Sequence, residues 1–223
     1  MKKIFFSAIP GKAHSVIYTD IEGRHFRFSG GTWAWRNHNP GNLRPKKRGQ
    51  FKDQIGVVDN FVSFPTDQSG HDAFIKDLKE NYMNDSIDKM IRHFAPPNEN
   101  DTKRYAKFLH EKTGVYDDRP LKDFTSTQFK KLWMAIQKKE GYKVGIITEV
   151  FRVTRVDVLQ KNLYQFYLEN NQSLSEDQCI KMAKANKLEL EVCISDLGTV
   201  FLRIPPRSAF QKPLHSITKK RKS

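Results

Sequence analysis

The sequence lacks the marks of several large protein classes. No run among its 223 residues approaches the roughly 18 apolar positions of a membrane-spanning helix. There is no glycine-rich phosphate loop, the seven histidines show no close metal-ligand spacing, and neither cysteine has a CxxC partner. Ser69-Gly70-His71 lacks the context of a nucleophile elbow. We therefore expect no transmembrane segment, no metal centre and no serine-hydrolase chemistry.

The sequence has only two cysteines, and its first residues do not have the pattern of a signal peptide. Cys179 and Cys193 could pair only with each other, and the sequence leaves open a disulfide or two buried thiols. Residues 1–9 are basic and apolar but run into Pro10-Gly11 without a long apolar stretch. We interpret this start as mature sequence rather than a signal peptide, so export would use a route that needs no cleaved signal.

Positive charge is abundant. The formal net charge is +14, and 16 Phe, 7 Tyr and 3 Trp supply ample volume for a folded core. Such a charge suits nucleic acid, an anionic membrane surface or an acidic polymer such as the bacterial cell wall. Charge alone does not choose among them, and a nucleic-acid interpretation would rest on charge only.

Hydrophobic periodicity predicts two regions. Residues 1–170 form the first and residues 171–223, with a basic tail, the second. In the first region, alternation of apolar and polar residues predicts a β-hairpin over residues 15–28. Helical spacing and capping residues predict four helices, which begin at Thr66, after Ser86, at residue 101 and at residue 125; the last two end near residues 113 and 140. A fifth helix is predicted around residues 159–167. The second region is predicted to be a small helix-hairpin module, with a helix capped by Ser175 and strands flanking 195–198.

The end of the fourth helix carries the main catalytic candidate. Its apolar positions repeat at i, i+3, i+4 and i+7: Phe129, Leu132, Trp133 and Ile136. The next position on this face is Glu140, and Gly141 follows where a helix commonly ends. Apolar surroundings disfavour the charged form of a carboxyl, as a general acid for glycoside cleavage requires. A solvated residue at a frayed helix end is the alternative that the spacing leaves open.

Two further groups of residues could serve a sugar site. The hairpin turn offers Asp20 and Glu22 as a second polar group across the sugar from the acid, although turn carboxylates are usually solvated. Aromatic, amide and guanidinium side chains that suit a saccharide crowd the segment that follows: Trp33, Trp35, Arg36, Asn37, His38, Asn39 and Asn42. The same side chains would equally suit a loop that satisfies its own backbone.

Several blocks resemble one family of lysozyme-like proteins found in phage structural proteins and in toxin modules of bacterial secretion systems. Residues 30–44, GGTWAWRNHNPGNLR, are similar to the family signature GG-x-R-x-WRNNNPGN, with Trp33 for the Arg and His38 for an Asn. Residues 61–73 resemble the FAVFPSYEAGxxAL block and residues 94–105 the YAPPxENDTxxY block. Residues 135–142, AIQKKEGY, resemble AIxxxEGW. Together the matches span roughly residues 16–145 in the expected order.

The resemblance implies a fold and a set of site residues. The fold would be α+β and lysozyme-like, mainly helical with a small antiparallel hairpin, and a circular permutation would reconcile the hairpin turn with the distant Glu140-Gly141. Glu140 would be the general acid, with Glu99 as its main competitor and Asp20 or Glu22 as helper. The binding residues would be the polar and aromatic members of the signature: Trp35, Arg36, Asn39, Asn42 and Arg44.

The implied activity is cleavage of the β-1,4 bond between N-acetylmuramic acid and N-acetylglucosamine in peptidoglycan, by a muramidase or a lytic transglycosylase, without cofactor or metal. The protein would be an antibacterial secreted effector, as in type VI secretion, or a phage lytic protein acting at the periplasmic cell wall. Its partners would be glycan strands, a cognate immunity protein and a delivery protein, and not nucleic acid. The alternative is a non-catalytic cell-wall-binding or structural module of a phage or secretion machine.

Overall fold

The computed structural model describes residues 4–98, 101–160 and 163–220. Of these residues, 34% are helical and 26% lie in strands, and the strands form four separate sheets. The prediction of a mainly helical, lysozyme-like fold with a small hairpin and a C-terminal helix-hairpin module is therefore wrong. It failed because the strands within residues 5–10, 56–63, 146–175 and 218–220 were not recognised as strands.

The N-terminal part is built on a four-stranded antiparallel sheet in the order β1-β2-β3-β6. Its strands are β1 (Phe5–Pro10), β2 (Val16–Asp20), β3 (His25–Ser29) and, later in the chain, β6 (Ile146–Val150). The predicted hairpin is confirmed as β2–β3, with Val16 paired to Phe28. The sheet buries one apolar face around Tyr18, Phe28 and Trp35.

A helical layer follows the sheet. After the short helix α1 (Trp33–Arg36), strands β4 (Gly56–Val58) and β5 (Phe61–Ser63) form a small hairpin. The next four helices are α2 (Asp67–Asn81), α3 (Ile87–Phe94), α4 (Thr102–Thr113) and α5 (Ser126–Glu140). All four were predicted from spacing and caps; α1 was not, because Gly and Pro around it favoured a turn segment. The helices enclose the largest apolar cluster, centred on Phe74, Leu109 and Ile136.

The C-terminal part holds a second four-stranded sheet, in the order β12-β7-β8-β9. Its elements are β7 (Val153–Gln160), β8 (Leu163–Leu168), β9 (Ser173–Ser175), the helix α6 (Glu176–Lys184), the hairpin β10 (Glu191–Ile194)–β11 (Val200–Arg203), and β12 (Thr218–Lys220). The helix capped by Ser175 and the hairpin that follows it are confirmed. The helix predicted around 159–167 is wrong, because residues 153–160 form β7 and residues 163–168 form β8. The second sheet begins at Val153, and its β8–β9 pairing crosses the predicted boundary at residue 170.

A buried ion pair joins the N-terminal sheet to the segment between α6 and β10 in the C-terminal part. Arg27 on β3 contacts the Glu189 carboxylate, with side chains 3% and 0% exposed respectively. The Arg27 guanidinium also donates to the carbonyls of Asn186 and Leu188, and the Lys12 backbone N–H donates to Glu189. These contacts hold residues 186–189 of the C-terminal part against the N-terminal part.

Candidate active site

Glu140 is the last residue of α5 and is half-buried. The helix starts with a capping box at Thr125 and Gln128, and Leu132, Ala135 and Ile136 bury its inner face. Gly141 then takes a φ of 76°, in the left-handed region that favours glycine, and ends the helix. The sequence thus sets both ends of the helix and delivers Glu140 to the edge of the apolar core.

Two neutral donors from other elements hold the Glu140 carboxylate. The Asn42 Nδ2 amide donates to Oε2 at 2.9 Å, and the Tyr105 hydroxyl on α4 donates to Oε1 at 2.9 Å. Burial, followed by the nearby negative charge of Glu140, raises the pKa of Tyr105 well above its ordinary value, so its phenol stays protonated and donates. Both oxygens of Glu140 are therefore oriented.

The turn at residues 39–42 positions Asn42. Asn39 is fully buried, and its amide donates to the carbonyls of Leu43 and Val62 while its Oδ1 accepts from the Leu43 N–H. Asn42 itself takes a φ of 47°. A Cβ on Gly41 would collide with the ring of Phe74, so the close packing of this turn on α2 requires glycine there. Asn39 thus has a structural role, and Asn42 is the residue of the turn that reaches Glu140.

Glu140 and Asn42 line a cavity of about 520 Å³. Its other lining residues include Arg44 and Lys46 after the turn, Phe61 on β5, Asp77 on α2, Tyr82 directly after α2, and His93 and Phe94 at the end of α3. The Asn42 Oδ1 atom is buried and accepts no hydrogen bond from any residue that the structure describes. An unsatisfied acceptor beside an oriented carboxyl is suited to a ligand that brings its own N–H or O–H.

The structure separates the five predicted binding residues. Asn42 and Arg44 line the cavity, and the Arg44 guanidinium lies 5.7 Å from the centre of the Phe61 ring. Trp35 is buried against Phe28 in the sheet core, with ring centres 5.1 Å apart. The Arg36 guanidinium carbon lies 3.7 Å from the centre of the Trp33 ring, and the guanidinium donates to the His14 carbonyl. The Asn39 side chain bonds only to backbone groups of Leu43 and Val62 among the described residues.

The predicted second carboxylates belong to a different environment. Asp20 is 2% exposed and accepts from the Glu22 and Arg24 backbone N–H groups and from the Arg24 side chain. Burial alone would raise the pKa of Asp20, but the Arg24 hydrogen bonds and charge outweigh it and hold the pKa below its ordinary value. Glu22 is exposed and pairs with Arg24 at 3.0 Å. Neither is among the lining residues of the Glu140 cavity. Glu99 lies outside the described residues.

Residues that sequence reasoning missed line the cavity with Glu140. Asp77 on α2 is 9% exposed, and burial raises its pKa while Lys46 and the Asn81 amide oppose the rise. Burial also raises the pKa of Tyr82 to about 12. A signal for Asp77 was available, because it falls on the apolar face of α2 beside Phe74 and Leu78, as Glu140 does on α5.

The structure shows no metal-binding cluster, membrane-spanning helix or disulfide among the described residues. Among residues 4–98, 101–160 and 163–220, no group of three or more His, Cys, Asp or Glu side chains is placed to hold a metal ion. No helix in the described part of the chain combines the length and apolarity needed to cross a membrane. Cys179 and Cys193 are free thiols, and burial raises the pKa of Cys179 to about 12.

Part of the chain is similar to a phage protein. The chain is 31% identical over 97 residues to Protein P5 of Pseudoalteromonas phage PM2. The match covers 40% of this chain and spans 61% of the length of that protein. No family model and no solved structure matches the chain.

Proposed function

We propose that this protein is a peptidoglycan-cleaving glycosidase, a muramidase or a lytic transglycosylase, with Glu140 as its general acid. The observation that carries the proposal is the carboxyl of Glu140, oriented by Asn42 and Tyr105 at the wall of a cavity of about 520 Å³. A positioned acid of this kind must lie within hydrogen-bond reach of the bond it cleaves. The resemblance of residues 30–44 and 135–142 to a wall-degrading family supports the choice of substrate.

The reaction requires few groups. Protonated Glu140 would transfer its proton to the glycosidic oxygen between N-acetylmuramic acid and N-acetylglucosamine as the C1–O bond breaks. A water molecule would then add its oxygen to C1 and return a proton to Glu140. In the alternative route, the 6-hydroxyl of the same sugar would attack C1, lose its proton to Glu140 and leave a 1,6-anhydro end. Asn42 and Tyr105 would hold the carboxyl throughout, and the unsatisfied Asn42 Oδ1 would accept from a substrate N–H or hydroxyl.

The proposed activity also implies where the protein would act and which proteins it would meet. A protein with a net charge of +14 would be attracted to the anionic cell wall. The protein would act at the wall as a secreted antibacterial effector or as a phage lytic protein. Use as a secreted effector would imply a cognate immunity protein and a delivery protein as partners.

The decisive experiment compares wild type with Glu140→Gln for turbidity loss of purified peptidoglycan, followed by mass analysis of the products. Glu111→Gln, on the exposed side of α4, is the matched control. We expect Glu140→Gln to lower the rate at least about a hundredfold and Glu111→Gln to leave it unchanged. A reducing or a 1,6-anhydro end separates hydrolase from transglycosylase. If wild type binds the wall without clearing it, the protein is a wall-binding module instead.

A further inference from the structure

A second concave surface borders the C-terminal end of α5 and shares no lining residue with the cavity. It consists of two adjoining depressions of about 310 and 480 Å³ that share Gln137 and Tyr142. The first is completed by Pro40, Asp67, Gln68 and His71, and the second by Trp133, Met134 and Lys138. We call this surface the Tyr142 surface.

Aromatic rings on the Tyr142 surface remain partly open although its polar groups are held in place. Tyr142 is 46% exposed, and its hydroxyl donates to Asp67 Oδ1 at 2.7 Å. The rings of His71 and Trp133 meet edge to face with centres 4.7 Å apart, and Gln137 Nε2 lies 2.7 Å from His71 Nδ1. The rings are therefore fixed before any ligand arrives, which lowers the entropy cost of binding.

The chemistry of this surface points to an uncharged sugar. Aromatic faces suit the C–H faces of a pyranose ring, and Gln137, Gln68 and Asp67 supply donors and acceptors for hydroxyl and N-acetyl groups. The titratable side chains that line it, apart from His71 and Tyr142, are Asp67 and Lys138, one of each sign. In a chain of net charge +14, this local balance does not favour a polyanion. Amide and carboxylate groups likewise set it apart from an aliphatic protein-docking groove.

The Tyr142 surface and the cavity border the same two segments. Pro40 lines the surface, whereas its neighbours Gly41 and Asn42 line the cavity. Gln137 and Tyr142 line the surface, whereas Glu140 between them lines the cavity. The cavity and the Tyr142 surface are therefore adjacent, at residues 40–42 and at the end of α5. We infer that the Tyr142 surface is a second glycan-binding subsite for N-acetylated β-1,4-linked sugars. The inference takes the identity of the polymer from the proposed function.

The test measures affinity of the full-length chain for chitotetraose, an uncharged β-1,4-linked tetramer of N-acetylglucosamine, by isothermal titration calorimetry. Glu140→Gln is the parent, so cleavage does not interfere. We expect Tyr142→Ala to weaken binding about tenfold, as loss of one well-packed aromatic contact would. Gln137→Ala serves as a second variant with intact aromatic rings, and it should weaken binding about threefold. Tyr116→Ala is the matched control, because Tyr116 is 73% exposed and remote from this lining.

The outcomes separate this inference from the proposed function. Absence of chitotetraose binding by the parent, or equal affinities of the parent and both surface variants, would overturn the inference. Binding that depends on Tyr142, in a chain whose wild-type form does not cleave peptidoglycan, would support the subsite and refute the catalytic proposal. Peptidoglycan cleavage by wild type, together with chitotetraose binding that does not depend on Tyr142, would support the catalytic proposal and overturn the subsite. Self-association through this surface without sugar binding would make it a protein interface and would also overturn the inference.

Discussion

Glu189 and Glu140 are both held by side chains that are distant in sequence, but their donors differ in charge. Glu189 is fully buried and is held by the guanidinium of Arg27, 162 residues away. Glu140 is half-buried at a cavity and is held by the neutral amide of Asn42, 98 residues away, and by a tyrosine hydroxyl. Arg27 and Glu189 compensate each other's charge away from water, whereas Asn42 and Tyr105 orient Glu140 at the wall of a cavity that a ligand could enter. The first arrangement suits a structural joint and the second suits proton transfer.

The largest expected effect lies at the structural joint. Glu189→Gln should lower the free energy of unfolding by about 3–5 kcal/mol, because it leaves the Arg27 charge buried without its partner. Urea unfolding followed by circular dichroism measures the change. The double variant Arg27→Met/Glu189→Leu should recover much of the loss, since it removes both charges. Glu140→Gln should lower the same free energy by only about 1–2 kcal/mol, because the new amide would face neutral donors at a half-buried site. Equal losses for Glu189→Gln and Glu140→Gln would erase the distinction between the two carboxylates.

Asp20 sharpens the comparison, because it was a catalytic candidate and its environment resembles that of Glu189. Asp20→Asn should lower the free energy of unfolding by about 1–3 kcal/mol, since the new amide would face the Arg24 donors. The rate of wall clearing at temperatures where the variant is folded should not change. Glu22→Gln, at the exposed end of the same turn, is the control for stability. A variant that keeps wild-type stability but loses activity would return Asp20 to the catalytic site.

Tyr105 tests the neutral side of the comparison. Tyr105→Phe removes the donor to Glu140 Oε1 and keeps the buried ring, so the fold should persist. We expect kcat for peptidoglycan cleavage to fall about tenfold with little change in KM, because one hydrogen bond to the acid is lost. Tyr116→Phe alters an exposed ring and should have no effect. An unchanged kcat for Tyr105→Phe would show that Asn42 alone orients the acid.

Local signals explain which parts of the fold were predictable. Thr66, Ser86, Thr125 and Ser175 occupy N-cap positions of the helices that they predicted. Residues 159–167 misled because Leu159, Leu163, Phe166 and Tyr167 repeat at helical spacing although they belong to two strands. The alternation of Val156 and Val158 in β7 was the competing strand signal. Packing between sheet neighbours, which a spacing rule does not contain, decided the outcome.

The candidate site shows the same limit. Glu140 was predicted because one helix carries both its apolar face and its cap. That Asn42 and Tyr105 both reach Glu140 was not predictable, because three separate elements must pack before these side chains meet. Asn39 and Asn42 look equivalent in sequence, yet one bonds to the backbone of its own loop and the other to Glu140. Two residues of the same type in one motif therefore differ in role: Asn39 stabilises the turn, and Asn42 contacts the candidate acid.

The smallest effect, and the last test of the comparison, is the pH dependence of stability at Asp20. Its pKa is lower in the folded protein than in the unfolded chain, so the native state gains stability from its ionised form. That gain is fully present above the unfolded value near 3.8 and is lost as pH falls through the folded pKa. The difference in unfolding free energy between wild type and Asp20→Asn should therefore be constant from about pH 5 to 7 and shrink below about pH 4. Urea unfolding at each pH gives this difference. A gap that widens on acidification would mean that the Arg24 contacts do not dominate at Asp20, and the likeness of Asp20 to Glu189 would fail.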